Sequence, residues 1–183
     1  MITRAQFKEA QIIGAQLLGT TGISLRDDEL EKISIADFGL GNLDTFGAQI
    51  LTLTSTDQIA VKLIAMYSGQ ILPEHWHPII NEYEGKEEIL RVEYGDMYLY
   101  TPGDPTQNPL ATIPNNKIDC FKNWHETIMK PGDMYTLKPT TPHWFQAGPQ
   151  GMVVWSFSTK VLDLQDEFTD KEIIRETIIK EDG

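Results

Sequence analysis

The chain has 183 residues and a mass of 20.7 kDa, a length at which one domain with a sizeable core is expected. Lys and Arg number 15 against 27 Asp and Glu, a formal charge of −12, which disfavours nucleic acid and anionic lipid as partners because both need a basic face. No stretch nears the ~18 apolar residues of a membrane span, the N-terminus lacks a signal-peptide layout, and the single cysteine, Cys120, cannot form an internal disulfide, so a cytoplasmic protein is expected.

The apolar residues Phe7, Ile12, Ile13, Leu17 and Leu18 lie near helical spacing, which predicts a helix from Thr3 to Leu18 stopped by Gly19. Ser24, with Asp27 three residues on, is placed to cap a second short helix. After Asn42 the texture becomes short, β-prone segments between turn signals: Ala48 to Ser55, Ala60 to Tyr67, Glu88 to Tyr94 and Met97 to Tyr100. Residues 103–116 hold three prolines and read as a surface loop. Strands are predicted again at Cys120 to Met129, Met134 to Lys138, Trp144 to Gln146 and Met152 to Ser158. The tail from Phe168 to Lys180 reads as a helix with Thr169 as its cap. The expected architecture is a single domain over 1–183: a helical decoration in 1–42, an antiparallel barrel in 43–162, then an acidic loop and C-terminal helix in 163–183.

Only four histidines are present. His75 and His77 alternate, so on a strand both imidazoles face one point. Glu88 and His143 follow from later strands and would complete an open-sided site for a divalent metal. Imidazole with carboxylate suits Mn, Fe, Co, Ni or Zn. Glu82, Glu84 and Glu87 are rivals for the carboxylate. Lys62, a charge within an apolar strand, is a candidate to stabilise negative charge on a substrate oxygen. Trp124, Trp144 and Phe168 are candidates for an apolar wall, each also explicable as core. His125 either reaches the cavity or sits outside it. Asp163, Asp166, Glu167 and Asp170 form an acidic run whose members are the candidates for a general base. Cys120 reads as a small buried residue.

These residues resemble the cupin motifs. Gly69 stands six before His75 and Glu88 seven before Gly95; Gly132 stands eleven before His143. The second motif departs from the pattern, with Pro139 displaced, Thr140 at the inner glycine and Ala147 at the asparagine, so a differently built turn is expected before His143. The spacing to Gly95 favours Glu88 over Glu82. A closer resemblance, over the whole chain, is to the D-lyxose isomerase family. It is carried by PEHWHPI, EGKEEILRVEYGDMYLY, WHETIMKPGDMYTLKPTTPHWFQAG and DEFTD, and the long gap between His77 and Glu88 matches it. The resemblance implies an all-β cupin barrel of jelly-roll type, manganese on His75, His77, Glu88 and His143, and a homodimer. It also implies interconversion of D-lyxose with D-xylulose, and of D-mannose with D-fructose, by proton transfer through an enediolate. The substrate is then a small neutral monosaccharide, its hydroxyls read by Lys62, His125 and Gln146. An iron-dependent cupin dioxygenase and a non-catalytic sugar-binding cupin are the alternatives.

Overall fold

A computed structural model of the chain describes residues 1–181. β1 (Ile2–Thr3) leads directly into α1 (Arg4–Gly19). Thr3 caps this helix: its Oγ1 accepts the Gln6 N–H at 3.1 Å, and Gln6 Oε1 accepts the Thr3 N–H at 2.9 Å. A short α2 (Asp27–Leu30) follows. Its cap is Arg26 rather than Ser24, because the Glu29 carboxylate turns back to accept the Arg26 N–H at 2.8 Å.

The remaining strands are β2 (Ser34–Ala36), β3 (Ala48–Ser55), β4 (Ala60–Met66), β5 (Ile71–Trp76), β6 (Glu88–Tyr94) and β7 (Met97–Thr101). After them come β8 (His125–Met129), β9 (Met134–Leu137), β10 (His143–Ala147), β11 (Met152–Ser158), β12 (Glu167–Phe168) and β13 (Ile179–Lys180). They form two antiparallel sheets, ordered β2-β3-β4-β11-β6-β9 and β12-β5-β10-β7-β8, while β1 and β13 pair in parallel with each other. Between the sheets lies the main core. Ile50, Ile64, Leu90, Val92 and Val154 of the larger sheet share it with Leu72, Leu99, Met129 and Phe145 of the smaller. Alternation sends their neighbours Leu51, Leu63, Ala65 and Val153 to the outer face, where Ala10 and Leu18 of α1 cover them. The antiparallel double-sheet barrel with an N-terminal helix is as expected. Glycine is required where the β6–β7 turn meets the chain leading into β11: Gly95 sits at φ +70°, and a Cβ there would lie 2.0 Å from the Gly151 carbonyl oxygen.

Two further expectations need correction. The predicted C-terminal helix is absent among the described residues: after β12 the chain runs through turns to β13. Its backbone donors are taken by other elements, the Thr169 N–H by Glu74 O at 3.1 Å and the Ile174 N–H by Phe38 O at 3.0 Å. Tertiary partners thus override a helix-like apolar spacing. The segment 120–129 is strand only from His125. Asn115–Cys120 is a 3₁₀ helix, and the Lys122 and Asn123 N–H groups turn to the Glu74 carboxylate instead of a sheet ladder. No helix among the described residues is long and apolar enough to cross a membrane.

Candidate metal centre and active-site pocket

Strand parity decides which side chains enter the barrel. On β4, Lys62 shares the inward face with Ile64 and Met66. It lies beside Ser156 of β11, which in turn pairs with Leu90 of β6. Glu88 opens β6 on the same inward row as Leu90 and Val92. From the opposite sheet, His75 of β5 and His143 of β10 stand directly across from each other. His77 follows β5, its carbonyl held by the Thr140 N–H at 3.1 Å. Thr140 has φ +61°, so this turn keeps the left-handed conformation usual for glycine although its residue is β-branched.

The three imidazoles are buried, and each offers a ring nitrogen within 4.8 Å of the other two. In every ring Nδ1 is committed to an oxygen: Pro73 O at 2.9 Å for His75, Thr141 O at 2.9 Å for His143, and Asp166 Oδ1 at 2.8 Å for His77. That fixes ring orientation and leaves each Nε2 to face its neighbours. Glu88 Oε2 lies 3.1 Å from His77 Nε2 and 3.3 Å from Lys86 Nζ, and its Oε1 accepts the Ser156 hydroxyl.

The pocket around this cluster encloses about 490 Å³ of empty space, mouth included. Its walls are apolar where Phe38, Leu72, Phe145 and Phe168 reach in. Phe168 stacks on the His75 ring at 5.6 Å. The far wall comes from 163–175. Asp163 pairs with Lys62 and lies 3.6 Å from both Lys86 Nζ and Arg175 Nη2. Arg175 also sits over the Phe38 ring, 5.9 Å from its centre.

Burial sets the protonation states first. It drives His143 down to about 3, helped by His77, and His75 well below the ordinary histidine value, helped by His143 and His77. Burial also opposes a charge on His77, but Asp166 and Glu88 outweigh it and hold His77 above the ordinary value. Burial works against the Glu88 and Asp163 carboxylates too. Lys86 and His77 nevertheless pull Glu88 well below the usual range, and Lys86, Lys62 and Arg175 pull Asp163 below it. Lys86 is buried yet raised, because Glu88 and Asp163 face it.

The residues singled out from sequence therefore divide. His75, Glu88, His143, Lys62, Asp163, Asp166 and Phe168 line the pocket, and His77 stands against it through Glu88, Asp166 and the other imidazoles. Trp144 does not: it is fully buried on the outer face of the smaller sheet, stacked on Tyr100 at 3.8 Å, with Trp124 against it at 5.2 Å. Gln146 is spent on the backbone of Gly69 and Thr112. His125 is exposed, its Nδ1 at the Asp104 carbonyl. Glu167 is exposed on β12, and Asp170 is locked to Lys117 at 2.7 Å. Adjacent residues on an extended chain cannot share a face, which removes Trp144 and Glu167. Cys120 is only half-buried and stands apart from the imidazoles. The sequence reading missed Lys86, Arg175 and Ser156. Lys86 was open to detection, since it stands two residues before Glu88 and so shares its side of an extended chain.

Comparison with known proteins places this pocket in context. A family model described as D-lyxose isomerase matches residues 28–183. The chain is 45% identical to the D-lyxose ketol-isomerase of Thermofilum sp. and 40% identical to the D-lyxose/D-mannose isomerase of Thermosediminibacter oceani. Each match covers 96% of this chain and 97% of the relative. In fold it is similar to the L-ribose isomerase of Acinetobacter sp. DL28, solved with L-ribose, at a TM-score of 0.81 and 15% identity over 98% of both chains. The ligand-free L-ribose isomerase of Cellulomonas parahominis gives 0.80 at 15% identity, again over 98% of both. With the imidazole cluster at the mouth of a double-sheet barrel and a sequence match along nearly its whole length, the chain belongs to the D-lyxose isomerase family.

Proposed function

We propose that this protein interconverts D-lyxose and D-xylulose, and D-mannose and D-fructose, using manganese held by His75, His77, Glu88 and His143. The observation that carries the reading is the set of three buried imidazoles whose Nδ1 atoms are all occupied. With the His77 Nδ1 proton given to Asp166, His77 Nε2 and Glu88 Oε2 are two acceptors 3.1 Å apart, and only a proton or a cation relieves their repulsion. The donor set fits such an ion: imidazole nitrogen and carboxylate oxygen, without thiolate. When bound, a divalent cation acts as a Lewis acid toward substrate oxygens.

The chain's own groups supply the rest. Lys62 and Lys86 face the pocket as cations and stabilise negative charge developing on a sugar oxygen. Asp163 and Asp166 are the pocket carboxylates not assigned to the ion. Asp166 is committed to His77, whereas Asp163 Oδ1 has no hydrogen-bond partner among the described residues. Asp163, kept ionised by the three cations around it, is thus the assigned carrier of the proton between the two carbons. Phe38 and Phe168 give the apolar surface against which a sugar chain lies. Glu167, exposed, and Asp170, paired with Lys117, take no part in the chemistry. The partners are small neutral sugars, consistent with pocket cations already matched by Glu88, Asp163 and Asp166, and the working unit is the homodimer that the family resemblance implies.

The test is isomerisation in D₂O with manganese-loaded protein and D-lyxose or D-mannose, products read by NMR. Ketose carrying deuterium at C1 is expected, and Asp163→Asn should lower kcat about 10²–10⁴-fold with metal content unchanged. Absence of ketose from both sugars overturns the assignment.

A further inference from the structure

The segment 163–175 supplies Asp163, Asp166, Phe168 and Arg175 to the pocket, yet its only regular structure is one 3₁₀ turn and a two-residue strand. So little internal pairing places it at the low-stability end of the molecule. It is held from outside by the buried Glu74 and the half-buried Lys117, neither of which lines the pocket. Glu74, behind His75 on β5, accepts the Thr169 hydroxyl at 2.6 Å. Its other oxygen accepts the N–H groups of Lys122 at 2.9 Å and Asn123 at 2.8 Å, and the Asn123 side-chain amide at 3.0 Å. Lys117 donates to Asp170 at 2.7 Å and to Glu172 at 2.5 Å. The loop carrying Lys117 and Asn123 is itself fixed, since the Trp144 indole N–H donates to Asn123 O at 2.6 Å.

On its inner side the same segment grips the imidazole cluster. Asp166 holds His77 Nδ1, and Phe168 stacks on His75. Two of the three imidazoles are therefore oriented by a strap whose own position depends on Glu74 and Lys117. We propose that Glu74 and Lys117 are positioning residues, and that docking of the 163–175 strap and metal binding are thermodynamically coupled. The proposal rests on the metal reading given above. Coupling of this kind is reciprocal: an ion that fixes His75 and His77 steadies the strap, and loosening the strap weakens the ion's site.

The test uses the full chain freed of metal. Mn²⁺ is titrated by calorimetry into wild type, Lys117→Met, Lys117→Arg and Glu74→Gln, and hydrogen exchange of peptides spanning 163–175 is followed with and without Mn²⁺. Mn²⁺ should slow strap exchange by about tenfold or more. Lys117→Met and Glu74→Gln should each weaken Mn²⁺ binding by roughly five- to tenfold, while Lys117→Arg, which keeps the charge, stays within about twofold of wild type. If wild type binds Mn²⁺ but strap exchange is unchanged, or both uncharged variants bind as tightly as wild type, the coupling is wrong and the pocket reading stands. If wild type binds no Mn²⁺, the pocket reading fails and takes the coupling with it. Should a variant fail to fold, the wild-type exchange measurement alone decides.

Discussion

On β10, His143 and Phe145 point into the barrel, whereas Trp144 and Gln146 point out of it. On β5, His75 points in and Glu74 points out. The inner face gathers ionisable groups around a small pocket and leaves their charges poorly hydrated. Outside, Trp144 of β10 joins an aromatic stack with Tyr100 of β7 and with Phe121 and Trp124 from the loop before β8, while Gln146 and Glu74 are saturated with hydrogen bonds. Chemistry and support are thus separated by one residue along the chain. A polar or aromatic side chain next to a ligand is, in this sheet, evidence against its touching substrate.

Substitutions on the two faces should therefore fail differently. His143→Ala, on the inner face, should remove bound metal, read by elemental analysis, and reduce activity about 10⁴-fold. Metal retained in this variant would break the assignment. Trp144→Ala should cost about 3–5 kcal/mol of stability in denaturant unfolding, because it empties a packed aromatic stack. Its kcat/KM below the melting range should stay within about threefold of wild type, and a large rise in KM instead would put Trp144 back in the sugar site.

The acid response sharpens the contrast. His143 titrates near 3 when folded and near 6.5 when unfolded, so below pH 6.5 the unfolded chain gains a proton that the native one refuses. Its share of stability falls by about 2 kcal/mol between pH 6.5 and 5. His75 acts in the same direction, and His77, raised, acts in the opposite one: its contribution is full below 6.5 and fades as pH rises through its folded value. With two depressed imidazoles against one raised, metal-free protein should melt at progressively lower temperature from pH 7 to 5, and His143→Gln should flatten that slope. A melting temperature that rises toward acid would contradict the burial of the pair. The smallest effect is expected at His125→Ala, within about 0.5 kcal/mol of stability and about twofold in KM, since that ring lies at the surface against Gly103.

Legibility from sequence followed the same division. β6 and β11 were readable to the residue, because each is a short run rich in apolar, β-prone residues between clear turns. The imidazole cluster was readable because few residue types bind metals and their spacing is tied to strand ends. The strap was not. Its apolar residues keep a helix-like interval, but Phe168 packs on His75, Ile173 adjoins the main core and Ile179 pairs with Ile2. Three different neighbours stand behind one apparent period. For the same reason nothing local separates Asp163 and Asp166 from Glu167 and Asp170, and Arg175 enters the pocket only because the chain doubles back over it.

Thr140 carries a consequence for heat tolerance. A β-branched residue held at φ +61° costs roughly 1–2 kcal/mol relative to one at ease there. Yet its side chain is exposed, and only its backbone N–H serves His77. The fold therefore carries an unclaimed reserve of stability beside its most demanding site. Thr140→Asn draws on that reserve without altering any group that faces the sugar.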